Sequence, residues 1–63
     1  MLTPRELEIL VLMADGGTNK CVSTALNISD NTVKFHVLNA MRKLAVTTRT
    51  GAVAKALRQG IIQ

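Results

Sequence analysis

Apolar residues along this 63-residue chain recur at helical rather than strand spacing. Leu7, Leu10, Val11 and Ala14 return every three or four positions, the period of one helix face. Val22, Ala25 and Leu26 repeat the spacing, and Val33, Val37, Ala40, Met41 and Leu44 carry it through a longer segment. Period-two alternation and β-branched runs are missing, so strands are not expected.

The residues between these stripes set the element ends. Thr3-Pro4-Arg5-Glu6 combines a helix cap, a proline at the first helical position and a glutamate that completes a capping box. Gly16-Gly17 closes that first helix, and Thr18, Ser29 and Thr48 are caps for three more. The expectation is an all-α four-helix bundle with helices at about 4–15, 19–26, 30–45 and 49–59, residues 1–63 forming one domain. Only Asn27 and Ile28 separate the second helix from Ser29, and the third helix is longer and basic. That is the layout of a helix-turn-helix.

On a helical wheel of about 100° per residue, the third helix divides cleanly. Val33, Val37, Ala40, Met41 and Leu44 form a core stripe, and Asn31, Lys34, Phe35, Leu38 and Arg42 lie opposite. A solvated face would carry Glu, Lys and Gln; here Phe35 and Leu38 sit beside two cations with no acid among them. In a DNA major groove, Lys34 and Arg42 suit guanine acceptors or phosphates. Asn31 suits adenine, and Phe35 and Leu38 suit thymine methyl groups. Lys20 and Thr32, near the ends of the turn, are placed to grip the backbone. Asp30 is the discordant charge, read as a first-turn stabiliser that points away from DNA. Other readings stay open. A wheel turned by one position puts Phe35 in the core, and Leu38 could instead pack against another domain of a longer protein. Lys43 and Lys55 read as solvated, His36 as a packed imidazole on the flank of the stripe, and Cys21 as an inert thiol.

Charge sharpens this picture. The net charge is +4, but residues 1–30 set Arg5 and Lys20 against Glu6, Glu8, Asp15 and Asp30, a balance of −2. Residues 31–63 hold Lys34, Arg42, Lys43, Arg49, Lys55 and Arg58 with no acid, a balance of +6. A wholly basic half suits a polyanion. Phe35 is the lone aromatic, so the core must be aliphatic. One cysteine excludes an internal disulfide and fits a reducing, cytoplasmic setting. One histidine and one cysteine cannot assemble an ordinary metal site, and no cofactor is expected. No paired carboxylates, phosphate-binding glycine loop or nucleophile with an adjacent base is present, so catalysis is not expected. The longest apolar run, Ile9–Ala14, is too short to span a bilayer, and no signal peptide is evident.

The residues together resemble the LuxR/FixJ/GerE-type DNA-binding domain of bacterial transcription regulators. The resemblance runs through Leu2-Thr3-Pro4-Arg5-Glu6, Ile9-Leu10, Gly17-Thr18-Asn19-Lys20, Leu26 and Ile28-Ser29. It continues through Thr32-Val33-Lys34, His36-Val37, Arg42-Lys43-Leu44, Val46, Arg49-Thr50 and Ala52-Val53, then from Ala56 to Ile62. Phe35-His36 with Asn39-Ala40 is most similar to the quorum-sensing branch. The resemblance implies a third helix in the major groove, base reading by Lys34, Phe35 and Leu38, and Lys20 and Thr32 near phosphate. It further implies a homodimer through the fourth helix, two-fold related half-sites on double-stranded DNA, and recruitment or blocking of RNA polymerase. Cys21, Ser23 and Gly51 depart from the usual Glu, Ala and Glu or Gln at their positions, which predicts a softer domain. The rival reading is a helix-turn-helix interaction module that pairs with a larger regulator through Phe35 and Leu38.

Overall fold

A computed structural model of residues 1–63 contains four α-helices and no strand. They are α1 (Pro4–Ala14), α2 (Asn19–Leu26), α3 (Asp30–Leu44) and α4 (Arg49–Arg58). Every helix starts with the same device. The hydroxyls of Thr3, Thr18, Ser29 and Thr48 accept from the backbone N–H three residues on, at 3.1, 3.2, 3.0 and 2.9 Å. Each such bond satisfies a donor that the helix itself cannot.

The helices also end alike. The N–H groups of Gly17, Ile28, Val46 and Ile61 reach back to the carbonyls of Leu12, Ser23, Met41 and Ala56 at 2.8–3.0 Å. This six-residue closure puts the preceding residue in the left-handed region: Gly16 (φ 91°), Asn27 (56°), Ala45 (58°) and Gly60 (70°). Gly17 adds a second demand on the first turn, since a Cβ there would lie 2.8 Å from the Leu12 carbonyl oxygen. Asp15, Ala45 and Gln59 serve as caps, so α1, α3 and α4 end one residue earlier than the pattern predicts.

The core consists of two clusters threaded by α3. Ile9, Val22, Val33 and Val37 form the first, between α1, α2 and the front of α3. Leu10, Ala40, Leu44, Ala52, Ala56 and Ile62 form the second, between α1, the rear of α3, α4 and the chain end. Met41, half-buried, packs against both. The α3 stripe is the one expected; on α1, Leu7, Leu10 and Ala14 face the core as expected, whereas Val11 does not and Ile9 takes its place. Ile9 and Leu10 are fully buried while Val11 is exposed. Because α1 lies between the clusters, neighbouring residues about 100° apart face different partners. On α2, Ala25 is exposed and Ser23 is the buried small residue, 7% exposed. Its hydroxyl donates to the Lys20 carbonyl at 2.9 Å, so burial leaves no polar group unmatched.

One ion pair lies within this packing. Glu6 is 2% exposed, and its Oε1 accepts from the Thr3 backbone N–H at 2.9 Å, completing the capping box. Lys43 of α3 donates to the same carboxylate at 2.9 and 3.3 Å. Burial opposes the charge on Glu6. The Thr3 backbone N–H, then the hydrogen bond and charge of Lys43, outweigh it and hold the carboxyl below its ordinary value. Lys55 of α4 donates to the Leu44 carbonyl at 2.7 Å, covering the open end of α3. Neither Lys43 nor Lys55 is merely solvated, contrary to the sequence expectation. Their partners lie 37 and 11 residues away, beyond the reach of helical periodicity.

Candidate nucleic-acid interface

The turn between α2 and α3 is held at both ends by local chemistry. Asn27 supplies the left-handed residue, half-buried Ile28 packs on the first cluster, and Ser29 caps α3. Two anchored ends around so short a connection fix how α3 leaves α2. The outer side of α3 is then set by the inner one. With Val33, Val37, Ala40 and Leu44 buried, Asn31, Lys34, Phe35, Leu38 and Arg42 all stand exposed.

Within that exposed set, Phe35 and Leu38 are each 62% exposed. Full contact with water costs free energy for two such large apolar side chains. The Phe35 ring meets the His36 imidazole edge to face, with centroids 5.6 Å apart and planes at 69°. Arg42 donates from its guanidinium to the Asn39 side-chain oxygen one turn back, which retains most of its N–H donors for another partner. Lys34 makes no ion pair: the two in the chain join Arg5 to Glu8 and Lys43 to Glu6.

Lys20 is exposed in the first turn of α2. Its neighbour Asn19 accepts a hydrogen bond from Arg49, at the first position of α4, so the starts of α2 and α4 are tied together beside Lys20. Nothing in the sequence signals this link, since both residue types are ordinary at a helix start. Thr32 is half-buried, and its hydroxyl shares a 2.8 Å hydrogen bond with the Ser29 hydroxyl. One O–H of that pair remains free to donate to a phosphate oxygen.

The basic half of the sequence therefore divides in two. Lys43, Arg49 and Lys55 donate to other helices, whereas Lys34 and Arg42 stand on the outer face of α3 and Arg58 lies exposed at the end of α4. Asp30, exposed in the first turn of α3, is the acid nearest that outer face in sequence. On α4, Ala54 and Leu57 are exposed and Val53 half-buried beside a groove that reaches Met13 and Gly17. No helix is long and apolar enough to cross a membrane. Cys21 is exposed, and hydrogen bonding with Thr18 lowers its thiol pKa.

Comparison with known proteins places this arrangement. Residues 1–56 match the family model described as bacterial regulatory proteins, luxR family. The chain is 53% identical over 62 residues to the HTH-type quorum sensing-dependent transcriptional regulator RpaR of Rhodopseudomonas palustris, covering 98% of this chain and 26% of that protein. It is 48% identical over 63 residues to the response regulator protein VraR of Staphylococcus aureus, covering all of this chain and 30% of VraR. The chain thus spans between a quarter and a third of the length of these relatives. Its structure is similar to that of the transcription factor GerE, with a TM-score of 0.88 and 41% identity over 94% of this chain and 88% of GerE.

Proposed function

The chain belongs to the LuxR family of bacterial regulatory proteins, whose helix-turn-helix domains bind DNA to regulate transcription, and on that premise we propose how it does so. Residues 1–63 act as one DNA-binding domain, with α3 in the major groove. The observation that carries this is the outer face of α3, where a cationic and apolar set stands exposed on a helix whose opposite side is locked into the core.

Lys34, Phe35 and Leu38 read base edges. Asn31 and Arg42 flank them, Asn31 toward adenine and Arg42 toward guanine or phosphate. Lys20 and the Ser29–Thr32 hydroxyl pair hold the backbone, fixing register without reading sequence. Two copies dimerise through the exposed side of α4, where Ala54, Leu57 and Val53 form an apolar strip. The pair then recruits or blocks RNA polymerase at two-fold related half-sites. The similarity to RpaR favours a place in quorum-sensing control, within a bacterial cytoplasm.

Selection of binding sites from a random duplex pool, at two salt concentrations, tests this reading. The expected result is an enriched motif with halves centred about one helical turn apart. Steeply salt-dependent binding without a motif would assign the contacts to the backbone alone. No binding at either salt would favour the rival, an interaction module that docks a larger regulator through Phe35 and Leu38.

A further inference from the structure

Phe35 and Leu38 are the two most exposed large apolar side chains outside the first residue of the chain. They stand three residues apart on α3, so their side chains are neighbours on one helix face. Lys34 and Arg42 flank them, and the one acid of α3, Asp30, lies a turn before Lys34 at the start of the helix. The bracketing cations draw the apolar pair against a polyanion, so a partner must be both negatively charged and locally apolar. In a DNA major groove, the apolar group within reach of a helix is the methyl on C5 of a pyrimidine. Thymine carries it, and 5-methylcytosine carries the same methyl at the same ring position.

We propose that Phe35 and Leu38 form a reader of pyrimidine C5 methyl groups, so that this domain senses cytosine methylation as well as thymine. The proposal rests on the assignment of α3 to the major groove. Phe35 offers a flat ring steadied by His36, and Leu38 closes over the methyl from the next turn. Removing one methyl from such a contact lowers affinity about fourfold, the equivalent of one buried methylene.

The test uses the duplex enriched by site selection. Each thymine is replaced in turn by uracil, which deletes the methyl and leaves every hydrogen-bonding group in place. At least one position per half-site should lose affinity about fourfold. At that position, a 5-methylcytosine·guanine pair should bind about fourfold tighter than cytosine·guanine. The variants Phe35→Ala and Leu38→Ala alter exposed positions and leave the core intact; together they should abolish both differences.

Equal affinity for thymine and uracil throughout a bound motif would overturn the proposal while leaving groove binding in place. Equal affinity for cytosine and 5-methylcytosine at a uracil-sensitive position would also overturn it. Methyl sensitivity that survives both substitutions would remove these side chains from the role. Failure to bind any duplex would overturn the groove assignment and the proposal with it.

Discussion

At the scale of single residues, Glu6 shows how much one side chain can do. Its carboxylate closes the cap of α1 and receives Lys43 from α3. Glu6→Gln keeps the shape but removes the charge, and should cost about 1–2 kcal/mol of stability. The folded carboxyl titrates below its ordinary value, so its stabilisation is complete above the ordinary carboxylate pKa. It is lost as pH falls through the lowered folded value. Melting curves of both proteins from neutral pH to about pH 3 should therefore converge on the acid side. A gap that stays constant would show that the charge is not coupled to folding. The capping half of this role is legible in Thr3-Pro4-Arg5-Glu6, because its partners are three residues apart. The half involving Lys43 is not, because only the docking of α1 on α3 creates it. The proposed DNA contacts separate at this scale too. Lys34→Ala should weaken binding and change sequence preference, whereas Lys20→Ala should weaken binding evenly across sequences, as competition against a panel of duplexes would read.

At the scale of elements, the four helices share one plan of a hydroxyl cap and a left-handed exit. Two exits use glycine and one uses asparagine, both suited to positive φ. The exit of α3 uses Ala45, whose Cβ makes a φ of 58° unfavourable. Ala45→Gly should stabilise the domain by about 0.5–1 kcal/mol, seen as a higher denaturant midpoint at unchanged slope. A lower midpoint would mean that unfolded-chain entropy outweighs the relief of strain. The sequence places these helices well because caps and exits are local. On α1 it takes in Val11 and omits Ile9, because the wheel presumes one packed side, and α1 packs against both core clusters. The third helix also meets both clusters, but one after the other along its length, so its stripe of Val33, Val37, Ala40 and Leu44 is buried as the spacing implies.

For the whole molecule, the distribution of charge decides how it meets a polyanion. The sequence balance of +6 in the rear half overstates the cations available, since Lys43, Arg49 and Lys55 hold the helices together. Lys20, Lys34 and Arg42 remain near the proposed interface. Each phosphate neutralised contributes about −0.9 to the slope of log affinity against log salt, so one copy, with Lys20 on the backbone and Arg42 placed to join it, should show a slope of about −1 to −2. Lys20→Met should reduce its magnitude by about one, whereas Lys43→Met should lower the melting temperature and leave the slope alone. A wild-type slope of about −4 or steeper would mean that the inward cations turn outward on binding. Half of the basic signal in the sequence is thus architectural, a distinction invisible until distant helices are brought together.

Met41 alone packs against both core clusters, and its thioether is soft enough to fill an irregular joint. Oxidation to the sulfoxide would place a polar group where the two clusters meet. The domain should then stop opening as one unit. Backbone amides of α4 should exchange with deuterium sooner, relative to those at the front of α3, than they do before oxidation. Such a split would leave two loosely joined halves, with the half that bears the proposed groove face outlasting the half that bears the proposed dimer surface.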